Sequence, residues 1–408
     1  MSRTPLAASA TAPSKQASDL PLAAGLVCLV VIGINLRPGI VTIGPLIPSI
    51  RESFGLSHAG ASLLTTIPDV LMGVLALPTP WLARRYGRDR VILAALILLV
   101  VATFCRAYAG SVIQLLALTA AVGAGIAIAG ALIGGFIKAA YPNRAGFVSG
   151  IYAAALAFGS TVAAAASSPI AVTFGSWRFG CGAWALPCLF AIGAWLFIEA
   201  RQRRHFGQVS SLRHYRLPLR NRKAWLIALF FGCDNFLFYS LVSWIAPLYR
   251  EHGLDETSAG LILATFPGVF VIASPIAGLL SRKEDRRQTL AFLSAISLAG
   301  LVALAIVPYA LPFLIIPVIA FGVAGGFALG MALPLDNTGD PGEANVWNAF
   351  IITVAYLIAA TGPLLVGVLR DVTGSFQTSL WLLVAVGSAM LGLTPFLQPH
   401  RPAPLHTE

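Results

Sequence analysis

Charge is the scarcest commodity in this sequence. Asp, Glu, Lys and Arg supply 11% of its 408 residues, while 57% are hydrophobic and the mean hydropathy is +0.82. Soluble domains carry roughly 25% charged residues, and this much apolar surface cannot be hidden in one water-soluble core, so a soluble class is excluded. The five cysteines, Cys28, Cys105, Cys181, Cys188 and Cys233, lie in apolar runs without metal-ligand spacing. No metal, cofactor or redox role is read; Cys181 and Cys188 can share a helix face and pack there as small polarizable residues. No histidine is read inside a membrane span, which excludes a histidine proton relay. No G-x-S-x-G or H-E-x-x-H pattern occurs, which argues against a membrane-embedded enzyme. The "GAGIAIAG" beginning at Gly123 has no preceding strand and reads as helix packing. Residues 1–20 lack a basic start followed by an apolar run, so they read as a short disordered cytoplasmic tail rather than a signal peptide.

What is present is a series of apolar runs of about 20 residues, each long enough to cross ~30 Å of hydrocarbon as a helix. Twelve are predicted, at 21–46, 58–82, 91–108, 112–137, 147–171, 179–199, 224–248, 257–281, 288–308, 312–335, 346–369 and 377–398. A basic stretch without a single acid, "RQRRHFGQVSSLRHYRLPLRNRK", divides them six and six. The expected domains are therefore an N-terminal bundle over 21–199, a cytoplasmic linker over 200–223, a C-terminal bundle over 224–398 and a cytoplasmic tail over 399–408. The net charge of +11 sits in the short connections, so it is a topology signal, not a nucleic-acid surface. With the amino terminus inside, only Arg51, Arg106, Arg178, Arg250 and Arg370 of the 27 basic residues fall outside, and Arg37 falls within a span. That asymmetry predicts both termini in the cytoplasm.

The halves repeat at an offset of 199 residues: "PSIRE" at Pro48 matches "PLYRE" at Pro247, and "TTIP" ending at Pro68 matches "ATFP" ending at Pro267. Gly123 answers to Gly322, "PNRA" at Pro142 to "PGEA" at Pro341, and "GSW" at Gly175 to "GSF" at Gly374. A duplicated six-helix unit follows. Gly130 and Gly134, and Gly322, Gly326 and Gly330, recur every fourth residue, a spacing expected to let neighbouring helix backbones approach.

Three charges interrupt the apolar runs near mid-depth: Arg37, Asp69 and Asp234. Each costs about 2.5–3.5 kcal/mol at the bilayer centre unless it faces water or a partner. A shared polar centre is the expectation. Pro38 and Gly39 beside Arg37 weaken the helix and free the Ile34 carbonyl, as in the interrupted helices that form transporter binding sites. A guanidinium carries five fixed donors and a permanent charge, which suits a small planar anion or nitro group. The alternative is an Arg37–Asp69 salt bridge that only joins two helices. Asp69 and Asp234 are candidates for proton coupling, because a carboxyl in a low-dielectric cavity can load and release a proton; the alternative is permanent ion pairing.

Residues 80–90, "PWLARRYGRDR", resemble the signature of the major facilitator superfamily between its second and third helices. Leu82, Ala83, Arg85, Gly87 and Arg88 match it, while Pro80 stands for its first Gly and Arg84 for its acid; "SRKEDRR" at 281–287 is a weaker counterpart. Within that superfamily the chain is similar to the cyanate and nitroimidazole transporter branch, through "NLRP" and "GPLIP" in the first span, "LLTTIP", Arg106, "IKAAYPNRAGFVSGIY" and "DNFLFYSLVSWIAPLY". Asp69 and Asp234 depart from the branch pattern, which has an apolar residue and Gln there.

The resemblance implies an all-α membrane protein of twelve helices in two pseudo-symmetric six-helix bundles, with the first and seventh helices lining a central cavity. Asn35, Tyr152, Asn235, Tyr239 and Trp244 then join Arg37 as candidate substrate contacts, although Trp244 could equally be an interfacial belt residue. Arg84, Arg85, Gly87 and Arg88 are candidate gating residues or simple orientation signals. The expected function is a multi-pass transporter of the cytoplasmic membrane, moving a small polar or anionic solute of the cyanate or nitro-heterocycle class by alternating access. Protons are the expected coupling ion, lipid the other partner, and a monomer the expected state, with no nucleic acid. The competing readings are a multidrug-type exporter of neutral or cationic compounds, and a channel-like facilitator.

Overall fold

The computed structural model describes residues 22–141, 144–202, 217–281, 285–338 and 341–398. The two tails, most of the basic linker, and parts of "PNRA" and "SRKEDRR" lie outside the described residues. Among the described residues every regular element is helical.

The first span is broken into α1 (Leu22–Leu36), α2 (Pro38–Val41) and α3 (Ile43–Phe54). Then come α4 (His58–Ala76), α5 (Thr79–Tyr86), α6 (Arg88–Arg106), α7 (Val112–Ala140), α8 (Ala145–Thr173), α9 (Trp177–Gly182) and α10 (Ala185–Gln202). The second half holds α11 (Arg222–Glu251), α12 (Glu256–Leu280), α13 (Arg287–Ile306), α14 (Pro312–Gly330), α15 (Leu333–Asp336), α16 (Pro341–Thr373) and α17 (Gln377–Leu393). Eleven helical stretches are long and apolar enough to span a membrane. The remaining member of the twelve is α6, a 19-residue helix with Arg88, Asp89 and Arg90 at one end and Arg106 at the other.

Helix starts follow local chemistry. Ser57 caps α4 by accepting from Gly60 N at 3.0 Å, and Asp255 caps α12 by accepting from Ser258 N at 2.9 Å. Such caps satisfy amides that have no partner within the helix, and the bonds from Ser258 hold the Asp255 carboxyl below its ordinary range. Gly87 joins α5 to α6 with φ of 89°, a conformation that costs a β-carbon-bearing residue about 1–2 kcal/mol and glycine nothing.

In the first bundle α1 packs on α8 and α10, and α7 on α4 and α6; in the second, α14 packs on α12 and α13, and α11 on α16 and α17. The bundles meet where α4 runs along α16, α8 along α12, and α3 against α11. The central element is α11, 83% of whose most apolar stretch is buried.

Of three packing expectations, one holds and two are corrected. Gly322, Gly326 and Gly330 do admit close neighbours: an added β-carbon would meet Leu293 and Ser297, Asp234, and Phe231 respectively. Gly130 and Gly134 do not, because nothing lies within 4 Å of where such a carbon would be. The predicted span over 179–199 bends at Ala183 and Trp184, so Cys181 and Cys188 fall on separate helices and share no face.

Candidate substrate site between the bundles

The guanidinium of Arg37 stands at the break in the first span. Pro38 cannot donate a backbone N–H, and α2 is instead wound from the Arg37 carbonyl, which accepts from Ile40 N at 3.1 Å and Val41 N at 3.2 Å. The Ile34 carbonyl freed by Pro38 is covered by Gly159 of α8, where any β-carbon would collide with it. At the far side of the break the Thr42 hydroxyl lies 2.5 Å from that of Ser167 and 3.2 Å from the Gly180 carbonyl. The interruption is thus bound on two sides by the rest of its bundle.

From this position Arg37 reaches across to the second bundle. Its Nη1 donates to the Tyr239 hydroxyl at 2.7 Å, and its Cζ lies 5.9 Å and 6.0 Å from the ring centroids of Phe238 and Tyr239. Tyr239 in turn donates to Met72 Sδ at 3.8 Å. The ring of Tyr356 of α16 lies tilted against that of Tyr239, 6.0 Å between centroids, and Tyr356, Tyr152 and Asp69 all interact electrostatically with the guanidinium. Arg37 is only partly buried, although Leu36 and Pro38 on either side of it are buried. Space that water can enter therefore lies against the cation between the bundles.

Asp69 is fully buried and neither of its carboxyl oxygens has a hydrogen-bonding partner. The salt bridge that would merely join α4 to the first span is therefore not formed in this structure. The Tyr152 hydroxyl is also buried and without a partner. A donor-rich cation, an aromatic wall, an unpaired hydroxyl and an unpaired carboxyl occupy one place. Such a set can grip a small planar molecule through the guanidinium while keeping a proton-accepting group beside it.

The other expected site residues lie elsewhere. Asp234 is fully buried with both oxygens unpartnered, but it faces α14, where a β-carbon on Gly326 would touch Oδ1. Three charges were expected around one centre; the structure gathers Arg37 and Asp69 and leaves Asp234 inside the second bundle. The difference comes from the helical period: Asp234 and Tyr239 are five residues apart, about 140° around α11. Asn35 donates to its own helix at Val31 O, 2.7 Å, and Asn235 to Phe231 O, 2.8 Å. Trp244 donates to Pro363 O at 2.9 Å and packs against His58 and Phe376 near one end of the bundle interface. Arg85 lies over Trp81 and Tyr86, and Arg88 pairs with Asp89 and covers Phe136 of α7; Arg84 is exposed.

Sequence reasoning passed over Tyr356. Its signal was a lone tyrosine in the apolar "IITVAYLIAA", in the helix of the second half that answers to the one bearing Tyr152. The reading that no histidine enters a span is also corrected, because His58 is the first residue of α4 and is buried at 6% exposure.

Twelve membrane-length helices in two bundles that meet around Arg37 are the architecture of a multi-pass membrane protein, and its class is that of a transporter. The chain belongs to the Major Facilitator Superfamily, whose family model matches residues 25–360. It is 31% identical over 354 residues to the cyanate transport protein CynX of Escherichia coli (strain K12), covering 86% of this chain and 91% of that one. It is 26% identical over 374 residues to the 2-nitroimidazole transporter of the same strain, covering 90% and 91%. Among solved structures, a bacterial homolog of the human lysosomal transporter Spinster, in an inward-facing and occupied conformation, superimposes with a TM-score of 0.74 at 17% identity, covering 93% of this chain and 98% of that one. The family consists of transporters rather than enzymes, and the protein is a multi-pass component of the cell membrane.

Proposed function

We propose that the protein carries a small planar anion, or a polarised nitro-heterocycle, across the cytoplasmic membrane by alternating access, with Arg37 as the substrate anchor. The observation that carries this reading is the partly accessible guanidinium at a helix break, whose Nη1 donates to Tyr239 of the opposite bundle. Relatives named for cyanate and 2-nitroimidazole handle substrates of this shape and polarity. Tyr152, Tyr239 and Tyr356 wall the site in this reading, and Asp69 couples transport to protons. Asn35, Asn235 and Trp244 shape the surrounding helices, while Arg84, Arg85, Gly87 and Arg88 brace the cytoplasmic gate. The positive-inside distribution puts both termini in the cytoplasm, so the end of the bundles bearing His58 faces outward. The functional unit is a monomer.

The test is uptake of labelled cyanate and of 2-nitroimidazole into liposomes holding the purified protein, with counterflow from preloaded substrate. Accelerated exchange for the wild type and its loss in Arg37→Gln support the proposal. Wild-type rate and affinity in that variant would remove Arg37 from the site, and flux without counterflow would make the protein a channel.

A further inference from the structure

Five ionisable side chains meet at the end of the bundle interface opposite the linker. The first bundle contributes Arg51 at the end of α3 and His58 at the start of α4. The second contributes Glu251 at the end of α11 and Arg370 and Asp371 at the end of α16. His58 is their hub, held between the rings of Trp244 and Phe376 at 5.7 and 5.9 Å. Its Nδ1 lies 2.7 Å from Asp371 Oδ1, which also accepts from the His58 backbone N at 2.9 Å, while Asp371 Oδ2 accepts from Ala59 N at 2.8 Å. A carboxylate so fixed holds a proton on Nδ1, so the state of the ring is decided at Nε2.

Two incompatible neighbours face Nε2. Arg51 Nη1 lies 2.6 Å away and can only donate; Glu251 Oε1 lies 3.1 Å away and accepts. A neutral ring accepts from Arg51 and leaves Glu251 facing a lone pair. A protonated ring donates to Glu251 and repels Arg51, which retains its Nε bond to Leu56 O at 3.1 Å. The bond lost on protonation lies within the first bundle, and the bond gained joins the two bundles. Arg370 donates from Nε to both oxygens of Glu251, at 3.1 and 3.0 Å, and keeps that carboxylate aimed at the ring. The next pair outward, Arg250 with Glu256 at 3.6 Å, does not touch His58.

We propose that His58 is a proton-binding site that latches the outer ends of the two bundles, with Asp371 and Glu251 as its acceptors. The proposal rests on the alternating-access reading above. Because the closed arrangement supplies an acceptor for the second ring proton that separated bundles lack, proton binding and closure favour each other. Acid outside closes the outer mouth; rising pH releases it. The site is separate from Asp69, so a proton held here gates the mouth rather than travelling with the substrate.

The test is distance measurement between spin labels at Glu52→Cys and Ser375→Cys, across the latch, in protein whose five native cysteines are replaced by alanine. Lowering the pH from 8 to 5 should shift the closed-to-open ratio about tenfold toward the short distance, a typical coupling between two linked sites. His58→Gln, which keeps a polar side chain but cannot titrate, should abolish the pH response. Glu251→Gln leaves the ring in place and should flatten the response while weakening closure at every pH. A pH response in His58→Gln equal to that of the wild type overturns the proposal, as does opening at low pH. A second label pair, Arg90→Cys with Gln288→Cys at the opposite end, tests alternating access separately. Failure of that end to move reciprocally with substrate sinks the proposed function, while the latch stands or falls on the first pair.

Discussion

Arg106 donates from Nη1 to the carbonyl of Gly39 at 2.9 Å, joining the end of α6 to the short helix that follows Arg37. The side chain is completely buried, and its Nε and Nη2, like the Thr103 hydroxyl one turn earlier, have no partner. A buried guanidinium without a carboxylate is unfavourable for stability, so its effect on the broken helix is the more informative one. In Arg106→Met the lost hydrogen bond, about 1.5–3 kcal/mol net for a charged donor, is offset by relief of a desolvated charge. Thermal unfolding in detergent should stay within a few degrees of the wild type, while substrate affinity falls at least tenfold. A large drop in unfolding temperature would mean that the residue only holds the fold.

Replacing Arg37 with lysine tests the fork and not the charge. Two charge-assisted bonds of about 1.5–3 kcal/mol each separate a planar guanidinium from a compact ammonium at a bidentate site. Arg37→Lys should therefore bind substrate at least a hundredfold more weakly, as read by calorimetry. Tyr239→Phe, which removes a single neutral partner, should cost tenfold at most.

The two buried carboxyls are expected to behave differently. Asp69→Asn should keep counterflow, which needs no proton gradient, and lose accumulation driven by one, because Asp69 is the acid that interacts with Arg37. Asp234→Asn should keep both, since that carboxyl is turned to Gly326. Paired counterflow and gradient-driven uptake assays separate the outcomes, and loss of accumulation in Asp234→Asn alone would reverse the assignment.

Gly159 and Gly134, one crowded and one open, make a matched stability test. A β-carbon at Gly159 would collide with the Ile34 carbonyl, whereas one at Gly134 meets open space. Gly159→Ala should destabilise the protein by 3 kcal/mol or more, on the order of the largest overpacking penalties, and Gly134→Ala should stabilise it by about 0.5–1 kcal/mol through helix propensity. Melting temperatures in detergent check both.

Much of the architecture was legible because it depends on one-dimensional quantities. Span length and the 199-residue offset survive without coordinates, and the offset carries α4 onto α12, α6 onto α13, and α8 onto α16. Arg37 was legible for the same reason, since a charge beside proline in an apolar run conflicts with its surroundings in any register. What depends on rotation about a helix axis was not. Asp234 lies at the right depth and faces the wrong way, Tyr356 carries no charge to mark it, and Asn35 satisfies itself on Val31. The cluster around His58 was hidden because its members are far apart in sequence and each, alone, resembles an ordinary surface charge.

The broken first span has no twin. Its counterpart α11 runs unbroken from Arg222 to Glu251, and the position that answers to Arg37 is Phe236. Were both copies to carry an arginine, two permanent cations would face each other between the bundles, and mutual repulsion would oppose closure of the empty site. The duplicated units have thus become hand and anvil. In the proposed function one unit anchors the cargo through its guanidinium and the other offers an aromatic face, so a single anion would be bound on one side of the pseudo-symmetry axis.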